Sequence, residues 1–118
     1  MDALDELEVW QRSKTLAVDI YKTLHGCTDY GFKNQITRAS VSIASNIAEG
    51  YERNSKKEFA YYLRIAKGSC AEVRTQIHIG KEINMIPDEK AGKLIAEALE
   101  ISKMLQGLIN YCKRNINH

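Results

Sequence analysis

The chain has 118 residues, of which 44% are hydrophobic and 27% charged, a composition that fits one folded domain and argues against extensive disorder. Its formal net charge of +2 is too small to predict a polyanionic partner, so only a local concentration of charge can do so. One proline and seven glycines are too few turn-forming residues for a β-sandwich or barrel, but they suffice for a few helices.

The cysteines and the N-terminal residues predict a cytoplasmic protein. Cys27, Cys70 and Cys112 are odd in number and form no Cys-x-x-Cys pair, which indicates buried free thiols in a reducing compartment. The acidic opening Met1–Glu6 lacks the basic and apolar regions of a signal peptide. No apolar run approaches the roughly 20 residues that a membrane-spanning helix needs, so we expect no membrane partner.

Apolar residues at three- and four-residue spacing predict four helices, over about residues 7–25, 30–52, 56–84 and 88–114. The first helix has acidic residues at its start, where the helix dipole favours negative charge. Thr28 or Asp29 can cap the second helix. The second helix is also rich in alanine and serine, so a neighbouring helix can approach it closely.

Two local signals delimit the third and fourth helices. Ser55 and Glu58 match a capping box, in which the two side chains satisfy backbone N–H groups at a helix start. Pro87 disfavours helical dihedral angles at Ile86 and is tolerated in the first turn of the helix that follows. Long helices joined by short breaks predict an all-α fold, an antiparallel up-down-up-down four-helix bundle formed by one domain over residues 1–118.

The third helix has more apolar surface than one packed face requires. Its core seam comprises Phe59, Leu63, Ala66, Cys70, Val73, Ile77 and Gly80, at the alternating spacing of a bundle helix. A second row beside this seam comprises Tyr62, Ile65, Ser69, Glu72, Gln76, Ile79 and Ile83. Two adjacent rows predict a further contact, for which self-association through Tyr62, Ile65, Ile79 and Ile83 is the simplest source. The alternative is a wide core face with a few exposed isoleucines.

A basic stripe runs along the other flank of the third helix. It comprises Arg64, Lys67, Arg74, His78 and Lys81, which fall within an arc of roughly 100° that no acidic residue interrupts. A line of Lys and Arg suits a phosphate backbone, because each contact releases counterions. The stripe therefore predicts binding of RNA or DNA, with the nearby Tyr51, Tyr61 and Tyr62 able to stack on exposed bases. The alternative is a solvated helix face whose tyrosines pack only between helices.

A polar row follows one side of the second helix. It comprises Gln35, Arg38, Ser42, Asn46 and Glu49. Arg38 and Glu49 are three turns apart and cannot pair with each other, so we expect each to pair with another helix or another subunit. Such a row can fix helix register or the oligomer interface, or it can line a site. We favour the structural role.

No catalytic or metal-binding motif is present. His25, His78 and His118 lie in different segments, and there is no Glu-x-x-His pair, P-loop or dinucleotide-binding glycine pattern. Some helical-bundle ribonucleases carry Arg, a polar residue, four spacers and His. Here Phe59 stands where the pair Arg53-Asn54 would require that histidine. We therefore predict a protein that is not an enzyme and holds no metal or cofactor.

The segment from Gln35 to Gly50, QITRASVSIASNIAEG, resembles the signature of the four-helix-bundle proteins encoded in 23S rRNA intervening sequences. The opening Leu7-Glu8-Val9-Trp10 is similar to the start of that family, and Gly68-Ser69 is similar to its third helix. The likeness covers nearly the whole chain and weakens in the fourth helix.

The resemblance implies a left-handed four-helix bundle that assembles into ring-shaped pentamers. The family is also similar to the accessory proteins of diversity-generating retroelements, which are basic, pentameric, and bind nucleic acid and a reverse transcriptase. The resemblance thus implies a homo-oligomer with RNA, DNA or a partner protein as ligand, and it supplies no catalytic residues. The alternative function is a protein–protein scaffold ring that binds no nucleic acid.

Overall fold

The computed structural model describes residues 3–116, in which a short 3-10 helix at Ala3–Glu6 is followed by four α-helices. These are α1 (Glu8–Thr23), α2 (Tyr30–Tyr51), α3 (Lys56–Glu82) and α4 (Asp88–Arg114). Residues 3–116 contain no β-strand, and the helices pack as a bundle of 50 × 25 × 21 Å, which confirms the predicted all-α four-helix bundle. Met1, Asp2, Asn117 and His118 lie outside the described residues.

Contacts between α2 and α3 show that the two helices run in opposite directions. The end of α2 at Gly50 meets Tyr62 near the start of α3, and the start of α2 at Phe32 meets Gly80 near the end of α3. Midway, Ser69 Oγ lies 3.1 Å from Ser42 Oγ. The connections from α1 to α2 (residues 24–29) and from α3 to α4 (residues 83–87) are short, like the one from α2 to α3. Short connections between long helices place consecutive helices antiparallel.

Side-chain caps fix where α2 and α3 begin. The Asp29 carboxylate accepts a hydrogen bond from the Phe32 N–H at 3.1 Å, so Asp29, rather than Thr28, caps α2. The Ser55 hydroxyl accepts from the Glu58 N–H at 3.3 Å. The Glu58 carboxylate points instead towards Arg53, whose Nη1 lies 3.9 Å from Glu58 Oε1. Only the serine half of the predicted capping box forms.

The α3 helix ends at Glu82, two residues before its predicted end, because Asn84 adopts a left-handed conformation with φ of 62°. The Met85 N–H donates to the Gly80 carbonyl at 2.8 Å, and the Asn84 N–H donates to the Lys81 carbonyl at 3.2 Å. This pair of bonds is a Schellman motif with asparagine in the position that glycine usually takes. The turn delivers Ile86 into the core, where it is 2% exposed.

The core is a continuous column of aliphatic side chains contributed by all four helices. Its α3 members are Ala60 and the predicted seam, of which Phe59 is half-buried and the others are buried. The α1 helix packs against α2 and α4 less extensively than α3 does. Part of its attachment to α4 is polar, since Arg12 Nε donates to Glu97 Oε2 at 2.9 Å.

Two glycines lie where α2 and α3 approach closely. A Cβ atom at Gly50 would lie 2.6 Å from Tyr62 Cβ, and one at Gly80 would lie 2.7 Å from both Ile86 Cδ1 and Phe32 Cζ. The atom facing Gly50 sits next to the α3 backbone and cannot move aside without shifting the helix. Gly50 therefore limits how closely α2 and α3 can approach, whereas the atoms that face Gly80 are the ends of the Ile86 and Phe32 side chains, which can move aside.

We expect Gly50→Ala to destabilise the protein by about 1–3 kcal/mol, because the new methyl group overpacks the α2–α3 interface. The matched control is Gly107→Ala on α4, where a Cβ atom would meet nothing within 4 Å. That control should gain about 0.5–1 kcal/mol from helix propensity. Urea unfolding followed by circular dichroism measures both variants, and equal stability of the two would contradict the close approach at Gly50.

Candidate functional site

The basic stripe of α3 faces α4 across an open groove, which we call the α3–α4 groove. Its volume is about 470 Å³, and its lining residues are Arg64, Lys67, Gly68, Ala71 and Arg74 from α3 and Ser102, Gln106, Ile109 and Lys113 from α4. Three of the five predicted stripe residues thus line one groove. His78 and Lys81 are exposed farther along α3 and do not line it.

Lys113, on the opposite wall, was missed by the sequence reasoning. It stands on the α4 face that carries Ser102, Gln106 and Ile109, at three- to four-residue spacing. That spacing was visible, but only the pairing of α3 with α4 shows that this face meets the stripe. Four basic residues therefore line the groove from two helices.

The positive charge of the groove is not neutralised within residues 3–116. No acidic residue lines the groove, and none of its four basic residues forms an ion pair in that part of the chain. Lys67 Nζ donates to the neutral Gln106 Oε1 at 2.6 Å, and Gln106 Nε2 donates to Asn110 Oδ1 at 2.9 Å. These amides hold the ammonium group of Lys67 in place without cancelling its charge.

Arg74 carries a polar atom with no partner. Its Nε is buried and forms no hydrogen bond in the structure. A buried donor without an acceptor costs about 1–3 kcal/mol, and more when the group is charged.

Gly68 leaves the middle of the groove open. A Cβ atom at this position would meet nothing within 4 Å, so packing does not require glycine here. Glycine inside a helix costs about 0.5–1 kcal/mol relative to alanine. Its presence does give a ligand direct access to the α3 backbone between Arg64 and Arg74.

The three tyrosines predicted to stack on bases lie elsewhere. Tyr51 packs edge-on against Phe59 with ring centroids 6.0 Å apart, and Tyr61 packs edge-on against Tyr62 at 5.2 Å. None of them lines the α3–α4 groove. The groove therefore offers charge and hydrogen-bond donors, and no aromatic platform.

Gln35, Arg38 and Ser42 of the α2 polar row line a second groove, the α2–α3 groove, of about 380 Å³. Its polar lining comprises Asn34, Gln35, Arg38 and Ser42 from α2 and Ser69, Glu72 and Gln76 from α3. Gln76 Oε1 is buried there without a hydrogen-bond partner. Arg38 and Glu72 are exposed, and neither forms an ion pair within the described residues.

Asn46 and Glu49, the other two residues of the polar row, form hydrogen bonds with residues four positions away along the chain. Asn46 Nδ2 donates to the Ser42 carbonyl at 2.8 Å and to Ser42 Oγ at 2.9 Å, which extends the serine contact between α2 and α3. Glu49 accepts from Arg53 Nη2 at 2.6 Å, four residues along the chain, so within the subunit its ion-pair partner follows α2 directly and does not come from another helix. The same Arg53 nitrogen donates to the Tyr62 hydroxyl oxygen at 2.8 Å.

Isoleucines of the second α3 row lie at the surface. Ile65, Ile79 and Ile83 are 37%, 46% and 42% exposed, and they stand at the two ends of the row that lines the α2–α3 groove with Ser69, Glu72 and Gln76. Ile79 and Ile83 are one turn apart, whereas Ile65 stands about 20 Å away along the helix.

The cysteines are free thiols and form no site. Cys70 and Cys112 are buried, whereas Cys27 is half-buried with its Sγ 3.7 Å from Met85 Sδ. Burial raises the pKa of Cys70 to about 12 and also raises the pKa of Cys112. Among the described residues, no His, Cys, Asp or Glu side chains group to hold a metal ion. Nor does any described helix have the length and apolar character to cross a bilayer.

Comparison with known proteins places residues 5–107 in a family described as the 23S rRNA-intervening sequence protein. A solved structure with similar architecture is a protein of unknown function from the S23 ribosomal protein family of Bacteroides thetaiotaomicron VPI-5482. It is 28% identical, with a TM-score of 0.80, and the alignment covers 86% of this chain and 97% of that one. The comparison with curated proteins returned no match.

We expect iodoacetamide at pH 8 to alkylate Cys27 in the native protein and to leave Cys70 unmodified. A pKa of about 12 leaves Cys70 with a thiolate fraction on the order of a thousandfold below that of a free thiol. Mass spectrometry of peptides measures the labelling, and denatured protein, in which all three thiols react, is the control. Native labelling of Cys70 as fast as that of Cys27 would contradict the burial.

Proposed function

The chain belongs to the 23S rRNA-intervening sequence protein family, and we propose that it is a cytoplasmic, homo-oligomeric, nucleic-acid-associated protein without enzymatic activity. In this proposal the basic face of α3 holds the phosphate backbone of RNA or DNA. The observation that carries it is the α3–α4 groove, which gathers four basic residues and no acidic one.

Uncompensated charge supports a polyanionic ligand more strongly than the net charge does. The whole chain has a net charge of +2, but Arg64, Lys67, Arg74 and Lys113 share one concave surface without ion-pair partners in residues 3–116. His78 and Lys81 extend the same face along α3 towards solvent. Phosphates that replace bound counterions along this line would bind with a strong dependence on salt.

The side chains of the groove favour recognition of the phosphate backbone of a nucleic acid over recognition of its base sequence. Guanidinium and ammonium groups bind phosphates, and phosphate contacts position a nucleic acid without identifying its bases. The tyrosines that could stack on bases are engaged in edge-on pairs away from the groove. We therefore expect similar affinity for strands of different sequence.

Assembly is the second part of the proposal. The exposed Ile65, Ile79 and Ile83, together with the unpartnered Gln76 Oε1, form a surface that a second copy of the chain can cover. The family resemblance favours a pentameric ring. Several basic faces on one particle would bind one polynucleotide with greater avidity than a single subunit could.

The second candidate function is a protein-binding ring without nucleic acid. The observation that favours it is the same row of exposed isoleucines beside the α2–α3 groove, which suits a protein surface better than a polyanion. In that case a pull-down from cells should recover the same partners after charge reversal in the α3–α4 groove.

The triple variant Arg64→Glu, Lys67→Glu, Arg74→Glu should lose nucleic-acid binding, because three attractive phosphate contacts become repulsive. Gel shifts with structured rRNA fragments and with single strands at low salt measure this. The wild-type protein should bind with an affinity that falls steeply as salt rises. Absence of binding by the wild-type protein at low salt would refute nucleic-acid association.

A matched control reverses three lysines that do not line the groove. Lys14→Glu, Lys93→Glu, Lys103→Glu produces the same change in net charge at exposed positions of α1 and α4. It should retain most of the wild-type affinity. Equal losses in the two triple variants would show that net charge alone attracts the ligand.

Size-exclusion chromatography with light scattering should give the wild-type protein a mass about five times that of the 13.4 kDa chain. Ile65→Lys with Ile79→Lys should shift it to the monomer, since charges then replace the apolar contacts. Leu99→Lys, at a similarly exposed position of α4, is the control and should leave the mass unchanged. A monomeric wild-type protein would refute the assembly while leaving backbone binding open to its own test.

A further inference from the structure

We infer that the α3–α4 groove is a binding site for a linear chain of phosphates. Arg64, Lys67 and Arg74 of α3 contact the phosphates from one wall, and Lys113 of α4 contacts them from the other. This inference rests on the proposed function for one source of that ligand, a nucleic-acid strand. Inorganic polyphosphate presents the same chemistry without bases. The proposal differs from binding along the outer face of α3, because it requires α4.

The dimensions of the groove suit several phosphates in a row. Arg64 and Arg74 are separated by ten residues of helix, a distance of about 15 Å. A nucleic-acid strand and inorganic polyphosphate both present a row of phosphates, so a groove of this length can meet several of them in sequence. Four basic residues line the groove.

The donors of the groove are arranged for an anion that enters between the helices. Lys67 is held by Gln106, a residue of the opposite wall, so its ammonium group is fixed across the groove rather than extended into solvent. Arg74 has a buried Nε with no acceptor in residues 3–116. A phosphate between the walls would accept from Arg74 once the guanidinium turns, and Lys113 would approach it from the α4 side.

Gly68 provides the room that the ligand needs. It lies on the α3 wall between the two arginines, and the space where its Cβ atom would stand is empty. The adjacent Ala71 and Ser102 are also small, so the floor of the groove is low along its length. A larger side chain at position 68 would occupy this space and leave every basic residue in place.

Two substitutions test the phosphate-binding site in the groove without reversing any charge on α3. Lys113→Gln removes the contact from the α4 wall, and Gly68→Leu blocks the groove sterically at a position where helix propensity should improve. Their controls are Lys103→Gln and Gly107→Leu, which lie on α4 outside the groove lining. Thermal melts by circular dichroism confirm that all four variants are folded.

Binding is measured by fluorescence anisotropy with labelled oligouridylate of about 15 nucleotides over a series of salt concentrations. The wild-type logarithmic salt slope should be about −3, as four contacts to a single strand require. Lys113→Gln should make this slope shallower by about 0.7 and weaken binding at least about threefold. Gly68→Leu should weaken binding by about tenfold or more, and both controls should match the wild type.

A second variant separates directed contact from charge. Arg74→Lys keeps the positive charge but removes the Nε donor and the planar fork. We expect at least about a threefold loss of affinity for the same oligonucleotide. An affinity equal to that of the wild type would contradict a directed phosphate contact at Arg74.

The second arm replaces RNA with long-chain inorganic polyphosphate and measures the thermal shift. Wild type, Lys103→Gln and Gly107→Leu should be stabilised, whereas Gly68→Leu and Lys113→Gln should show little shift. Stabilisation by polyphosphate without any RNA binding would refute the proposed function and identify polyphosphate as the source of the ligand. If both groove variants bind RNA with wild-type affinity, the phosphate-binding site in the groove is refuted, and RNA binds on the outer face of α3 instead. No response of the wild type to either ligand would overturn both proposals.

Discussion

The close approach of α2 and α3 is the constraint on which the rest of the structure depends. Gly50 and Gly80 mark its two ends: Tyr62 Cβ fills the space beside Gly50, and the ends of the Phe32 and Ile86 side chains fill the space beside Gly80. The serine contact between Ser42 and Ser69 lies midway between them. These contacts set which faces of α2 and α3 meet, and they leave Arg64, Lys67 and Arg74 on the flank of α3 that faces α4.

The same residue type serves opposite purposes on the two sides of α3. At the α2 interface, glycine permits contact between the helices, and the interface closes. At Gly68, on the side of α4, glycine faces empty space, and a basic groove remains open beside it. The cost in helix stability is similar at each position, but only at Gly50 and Gly80 does packing offset it. Gly92 and Gly107 of α4 face open space as well, so it is the position of Gly68 in the groove lining that marks it as a candidate functional residue.

Local sequence signals predicted the helices well, because caps and apolar spacing act within a few residues of the chain. Asp29 and Ser55 form the caps that their side chains allow, and the α3 core seam is buried apart from the half-buried Phe59. Lys113 was missed because its place in the groove depends on how α3 and α4 align, which the periodicity of one helix does not encode. The early end of α3 was missed because Asn84 rarely marks a left-handed turn as plainly as glycine does.

The weaker attachment of α1 gives the bundle an uneven resistance to opening. The α2, α3 and α4 helices share most of the contacts between elements, whereas α1 is held by a smaller apolar surface and by the Arg12–Glu97 ion pair at the rim. We therefore expect α1 to open before the other helices, and the α3–α4 groove contains no residue of α1. The basic groove is thus formed entirely by α3 and α4, so opening of α1 would leave the charged surface intact.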